Sequence, residues 1–287
     1  METAVKKPGY EAGLKEYIDS EKAAVDLMNS VGRLMYDRGI ELVFFRNHLL
    51  DISISEVIKL FDYADQVVHK PVDVYTTADV ARGLLDIDLA PSKIDIGRLA
   101  HEYKGSGAAS VNDFLNDHLR EFIGQDKHTF QPQDVVLYGF GRIGRIAARE
   151  LVKQAGKGQQ LRLRAIVTRT LTDAEIVKRA ALLRNDSVHG AFKGTVIEDV
   201  ENKIISINGQ QVQLIAASQP EDVDYTKYGI QNALVIDNTG AFTKRADLER
   251  HLKAKGVSKV LLTAPGKEIP NVVYGINHKD LDIENEK

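Results

Sequence analysis

Cysteine is absent from all 287 residues. Its absence excludes disulfides, zinc held by cysteine and any thiol nucleophile supplied by this chain. Long apolar runs are missing too: no stretch approaches the ~20 residues needed to span a bilayer, so no membrane partner is expected. The opening METAVKKPGYEAG has no apolar run of the signal-peptide kind, which favours the cytoplasm. The eight histidines show no HExxH spacing, and no metal is assigned. There is also no excess of positive charge. Residues 1–130 hold 15 basic and 22 acidic side chains (net -7) and residues 131–287 hold 23 and 19 (net +4). Neither half carries the basic footprint or the arginine-aromatic stripe of a nucleic-acid binder. The opposite signs of the halves suggest two units.

What is present is enough apolar material, 43% of residues, to bury a core in each of two domains. From Leu14 to Met35 the apolar residues recur at helical spacing, and Leu42–Phe45 is ambiguous. Ser53 followed by Glu56 is a capping-box pattern ahead of Val57, Leu60, Phe61 and Ala64, and Thr76 with Asp79 repeats a weaker version. Pro91-Ser92 precedes another periodic run, and Ser110 with Asp113 opens a helix carrying Phe114, Leu119 and Phe122. Residues 1–130 are therefore expected to form an all-α unit of about five helices, by the pattern rules. It contains no catalytic constellation, which points to a structural or assembly role, with a regulatory segment as the alternative. The polar stretch Gly124–Gln133, with Pro132, marks the boundary.

Beyond it strand and helix alternate: strand at Asp134–Tyr138, helix at Ile143–Gln154, strand at Leu161–Thr168, helix at Thr172–Leu183 and helix at Lys244–Lys255. Further strands are expected at Thr195–Ile197, Ile204–Ile207, Gln213–Ala216, Ala233–Asp237 and Val260–Thr263. The economical architecture for residues 131–287 is an α/β Rossmann-type domain with a mainly parallel sheet and crossover helices.

The first strand runs into Gly139-Phe140-Gly141-Arg142-Ile143-Gly144. Each glycine has its own reason: a tight turn, close approach of backbone to pyrophosphate, and close packing of helix on strand. The N–H groups and dipole of the first helical turn favour the ligand's negative charge. A lone GxGxxG is weak, but this one follows a strand, opens a helix and returns to a second strand. No Lys-Ser/Thr pair follows, which argues against a P-loop. The alternative is a glycine-rich turn with no ligand.

The end of the second strand bears on the choice between NAD and NADP. Strict NAD binders place Asp or Glu there for the ribose hydroxyls. Here the residues are Thr168 and Arg169. NADP is therefore expected to be accepted, alone or alongside NAD, with Thr168 relieving repulsion and Arg169 pairing the 2′-phosphate. The alternative is that Arg169 is a solvated surface charge.

GFGRIGR at Gly139–Arg145, DSVHGAFKG at Asp186–Gly194, DNTGAFT at Asp237–Thr243, TAPGK at Thr263–Lys267 and YGINH at Tyr274–His278 occur in order. Together they resemble glyceraldehyde-3-phosphate dehydrogenase over roughly residues 133–287, and the helical unit resembles the N-terminal extension of a longer bacterial form. The resemblance implies that Arg142 and Ile143 lie against pyrophosphate through their backbone. It also implies that Thr239 and Gly240 line the adenosine side and that Thr263 and Ala264 approach the nicotinamide. Without the resemblance, Thr239 and Thr263 read as strand-end turn residues. It makes the segment around His189 structural, so His189 is not taken as a base. Two departures affect adenosine recognition: Tyr138 and Thr168 stand where the family usually has Asn and Asp.

The family's chemistry is attack of a cysteine thiolate on the aldehyde, proton acceptance by a histidine, hydride transfer to the nicotinamide and release of the acyl group to phosphate. It implies a sugar-phosphate aldehyde and inorganic phosphate as substrates, with glyceraldehyde 3-phosphate or erythrose 4-phosphate as the aldehyde, and a homo-oligomer. The expected cysteine segment would follow YGINH, so the sequence reads as the cofactor-binding part of a longer enzyme, truncated before its nucleophile. The competing expectations are a non-catalytic dinucleotide-binding regulator and an assembly module.

Overall fold

A computed structural model describes residues 9–125, 131–156, 158, 160–282 and 285–287. The chain divides into two compact units, Met1–Thr129 and Phe130–Lys287.

The first unit is helical: α1 (Tyr10–Arg38), α2 (Ile54–Gln66), α3 (Val74–Leu84), α4 (Ile96–Ser106) and α5 (Val111–His118). Serine or aspartate side chains start four of them. Ser53 and Glu56 form the expected capping box on α2, and Ser110 caps α5. α3 starts from Asp73, whose carboxylate accepts from Thr76 N at 2.7 Å, so Thr76 is the receiving residue of that cap and not its origin. Asp95 caps α4 and also accepts from Phe45 N at 2.8 Å, which fastens the helix start to a neighbouring turn. At the end of α1, Arg38 donates to the carbonyls of Leu84 and Leu85 at 3.0 and 2.6 Å, supplying partners that the last turn of α3 lacks.

The helices are not the whole unit. β1 (Glu41–Phe44), β2 (Asn47–His48) and β3 (Lys93–Asp95) form a small sheet in the order β2-β1-β3. Its strands are four residues or fewer, too short for a two-residue period to register, which is why an all-α pattern was expected. Leu27, Leu34, Leu42, Phe44, Val80, Leu84, Ile96 and Leu115 are buried in one core.

The second unit is built on a seven-stranded sheet in the order β12-β11-β4-β5-β10-β9-β8. Its strands are β4 (Gln133–Tyr138), β5 (Leu161–Thr168), β8 (Val196–Asp199), β9 (Ile204–Ile207), β10 (Gln210–Ala216), β11 (Ala233–Asp237) and β12 (Val257–Leu262). β12 through β10 pair in parallel, while β10, β9 and β8 are antiparallel, so the sheet is mainly parallel with a meander at one edge. β6 (Asn185–Asp186) and β7 (Gly190–Ala191) form a separate hairpin.

The helices are α6 (Arg142–Gln154), α7 (Asp173–Arg184) and α8 (Arg245–Leu252). Alternate residues of β4 enter opposite cores. Val135 and Leu137 pack with Ala148 and Val152 of α6 and Ile176 and Ala180 of α7, while Val136 and Tyr138 pack with Tyr225, Ile230 and Ala254. Burial on both faces accounts for the continuous apolar reading of the central strands.

Strand order fixes where a ligand can enter. From β4 the chain steps to β5 and β10 on one side, then returns to β11 and β12 on the other. The loops leaving β4 and β11 therefore diverge, and a crevice opens at the carboxyl ends of these neighbouring strands.

Candidate nucleotide-binding site

The crevice is lined by the glycine turn. Gly139 leaves β4 at φ 94°, a left-handed conformation that disfavours any side chain, and its N–H reaches Val167 O at 2.9 Å. A Cβ at Gly139 would lie 2.8 Å from Thr239 Cγ2 and 3.2 Å from Thr239 N. A Cβ at Gly144 would lie 2.4 Å from Gly139 O, so α6 can approach the turn only with glycine there. Gly141 is the N-cap residue of α6, carries no capping side chain and faces open space. The first turn of α6 thus presents its backbone N–H groups and the positive end of its dipole without a side-chain oxygen over them. Ile143 is 55% exposed on that turn.

The Arg142 side chain turns toward the hairpin: Nη2 donates to Ser187 Oγ at 3.2 Å and Nε lies 3.8 Å from Asp186. What Arg142 offers the crevice is its main chain. Asp186 is buried, with Arg145 Nη2 at 3.0 Å and the N–H groups of Val188 and His189 on its other oxygen at 2.9 and 3.1 Å. These backbone donors, then His189 and Arg145, hold its carboxyl far below the ordinary range against the opposing effect of burial. His189 Nδ1 is itself 3.2 Å from Asp186, so the histidine belongs to the turn's bracing.

Thr168 ends β5 next to Ala216 of β10, and its buried hydroxyl donates to Thr170 O at 2.9 Å. Arg169, the next residue, is exposed and has no carboxylate partner among the described residues. The loop after it is fixed by a capping box, in which Thr172 and Glu175 exchange bonds at the start of α7.

On the far wall the strand-end residues are bound into one arrangement. Asp237, fully buried at the end of β11, accepts from Thr239 N at 2.8 Å and Thr239 Oγ1 at 2.7 Å. Its main-chain oxygen accepts from both Thr263 N and Thr263 Oγ1 at 3.1 Å. Gly240 follows at φ 68°, and Ala264 continues the turn that Thr263 begins. The structure thus brings Gly139, Gly144 and Thr239 into contact distance, ties Thr263 to the same strand end, and sets Thr168 and Arg169 at the end of the strand beside β4.

Sequence reasoning missed Asn238, Asp237 and His251 as residues of the site. Asn238 lies against Gly144 and donates to Ile236 O at 2.9 Å, while its Oδ1 is buried without a partner among the described residues. Asp237 and His251 form a fully buried pair, Nε2 to Oδ2 at 2.9 Å. Tyr138 stands edge-on to His251 with ring centroids 4.6 Å apart, and burial pushes its phenol up to about 12. An acid on the last position of a strand and a histidine on the following helix were the available signal for that pair.

Residues 133–245 match the family described as glyceraldehyde 3-phosphate dehydrogenase, NAD binding domain. The chain is 39% identical over 262 residues to a glyceraldehyde-3-phosphate dehydrogenase-like protein of Pseudomonas aeruginosa, covering 88% of this chain and 56% of that protein. That alignment is longer than the second unit, so it takes in much of the helical unit as well. Glyceraldehyde-3-phosphate dehydrogenases of Clostridium pasteurianum and Streptococcus pyogenes are 35% and 37% identical over 149 and 151 residues, each covering 52% of this chain and 41% of the relative. The chain spans about half the length of the curated relatives it matches. Among the described residues no helix is long and apolar enough to cross a membrane.

Proposed function

Starting from a glyceraldehyde-3-phosphate dehydrogenase-like chain whose second unit carries that family's NAD-binding domain, we propose that this chain holds the dinucleotide of a phosphorylating aldehyde dehydrogenase. The reaction would convert a sugar-phosphate aldehyde and inorganic phosphate to an acyl phosphate, with glyceraldehyde 3-phosphate or erythrose 4-phosphate as the aldehyde. One observation carries the reading: the start of α6 has no capping side chain and follows a Gly139 turn packed against Thr239 at the switch point. A pyrophosphate there meets backbone donors and a helix dipole with no competing carboxylate.

In this reading Gly139, Gly141 and Gly144 shape the turn, and the main chains of Arg142 and Ile143 contact the pyrophosphate. Thr239 and Gly240 border the adenosine half, and Thr263 and Ala264 border the nicotinamide half. The bound cofactor supplies hydride acceptance; the residues of this chain bind and orient it. With no cysteine in the sequence, the thioester chemistry has no nucleophile here, and this chain alone binds without turnover. The family resemblance adds the expectation of a homo-oligomer, and the sequence reading that of the cytoplasm.

The cofactor is NAD or NADP. An exposed Arg169 with no carboxylate partner among the described residues and a Thr168 in place of an acid favour acceptance of the 2′-phosphate. Calorimetric titration of the purified chain with NAD, NADP and ATP tests the reading. Binding of at least one dinucleotide well ahead of ATP is expected; no dinucleotide binding at millimolar concentration would sink it. Phosphate-dependent aldehyde oxidation above background by the purified chain would refute the absence of turnover.

A further inference from the structure

Asp237 is fully buried, yet both of its carboxylate oxygens are occupied. Oδ1 takes Thr239 N and Oγ1, and Oδ2 takes His251 Nε2 at 2.9 Å. A carboxylate offers only lone pairs, so the proton in this last bond sits on Nε2. The other ring nitrogen, Nδ1, is buried with no partner among the described residues. Burying an imidazole with one nitrogen unmatched is costly, and an aliphatic side chain would fill the same volume without that cost. The bond to Asp237 is what the histidine adds.

The ring has little freedom to turn away. Tyr138 meets it edge-on, Phe242 lies 5.9 Å away centroid to centroid, and α8 is fastened by Arg250, whose Nε and Nη2 bind Glu221 at 3.0 and 2.9 Å. We propose that His251 is a positioning residue for the dinucleotide site: by donating to Asp237 it keeps that carboxylate aligned on Thr239, and so keeps the Thr239–Gly240 turn seated against Gly139. This rests on the dinucleotide reading above. Without the Nε2 donor, Oδ2 would be left buried and unsatisfied, and the carboxylate would rotate in search of a partner. Thr239 would follow it, because two of its atoms hang on Oδ1. Thr263 would not, because it is held by the main chain of Asp237.

The experiment compares His251→Leu, which removes the donor, with His251→Gln, whose amide nitrogen can replace Nε2. NAD and ADP-ribose affinities are measured by calorimetry on the full chain, and exchange of the Thr239 amide is followed by NMR without ligand. The leucine variant is expected to bind both ligands roughly ten-fold more weakly, with the glutamine variant within about two-fold of the parent. Thr239 exchange should accelerate in the leucine variant alone. A folded leucine variant with parental affinity and exchange would overturn the proposal, as would a glutamine variant as impaired as leucine, which would assign the effect to ring packing. Should the leucine variant fail to fold, His251→Asn, too short to reach Oδ2, takes its place: fast Thr239 exchange in asparagine with slow exchange in glutamine supports the bond, and equal rates refute it. If the parent chain binds no dinucleotide, the functional reading falls, while the exchange comparison still judges the latch.

Discussion

At the residue scale, Gly141 and Arg169 give opposed expectations. Gly141 has open space around its missing Cβ and an extended backbone, so Gly141→Asp fits sterically and brings a capping carboxylate to the first turn of α6. Thermal stability should hold or rise by a few tenths of a kcal/mol. Dinucleotide affinity should fall ten-fold or more, because the new carboxylate takes the donors and repels the phosphates; calorimetry and a melting curve on one sample read both. Arg169→Ala should weaken NADP about ten-fold or more and leave NAD unchanged, since the exposed guanidinium has no carboxylate partner among the described residues whose loss would disturb the strand end. Equal effects on both cofactors would return Arg169 to the status of a solvated charge. The glycine turn was legible in the sequence because its three glycines fall within six residues, two of them, Gly139 and Gly144, under a local steric demand. The Asp237–His251 pair was not, because the partners meet only after β11 and α8 are packed, and a strand-end acid ahead of a helical histidine is too weak a signal to pair them.

At the scale of elements, α6 is fastened to the β6–β7 hairpin through Arg145 and Asp186. The Asp186 carboxyl titrates below its unfolded value, so its contribution to stability is fully present above the ordinary carboxylate pKa of about 3.9 and is lost as pH falls through the lower, folded value. Denaturant melts at stepped pH should therefore show the second unit weakening below about pH 4. Asp186→Asn should be less stable than the parent at neutral pH and lose less on acidification; parallel pH curves would contradict this bracing. Long elements were legible and short ones were not. α2 and α5 announced themselves by cap and period, whereas β1 to β3 are too brief for any period. The start of α3 was displaced because Asp73, lying before an apolar Val74, competes with Thr76 as a cap pattern. The antiparallel edge of the main sheet also escaped notice, since strand direction is set by pairing and leaves no mark in the alternation of side chains.

At the scale of the whole molecule, three cores share one chain, one in the helical unit and one on each face of the second unit's sheet. Binding in the second unit should act on that unit's stability alone. In differential scanning calorimetry, dinucleotide at a hundred times its Kd should raise the second unit's transition by the equivalent of about 2.7 kcal/mol. The transition of the helical unit should stay where it was; a shift of both together would mean that the units unfold as one. The division into two units was foreshadowed by charge of opposite sign and by a change of period near residue 130.

α1 holds a last consequence. Its buried residues begin at Ala23 and run to Met35, while Tyr10, Leu14, Tyr17 and Ile18 are exposed along the first turns. Among the described residues, that opening stretch adds to its backbone bonds only exposed ones: Ser20 Oγ to Glu16 O at 3.0 Å, Ser20 Oγ 3.4 Å from Tyr75 Oη, and a Lys22–Asp19 ion pair at 3.1 Å. An isolated helix of that length is marginal in water. One continuous helix therefore contains a gradient of opening free energy, from near zero at its start to that of the core at its end. Trypsin should cut after Lys15 and Lys22 well before Arg33 or Arg38, releasing a short peptide and leaving a folded remainder. Cleavage at all four positions at one rate would mean that α1 opens as a single piece.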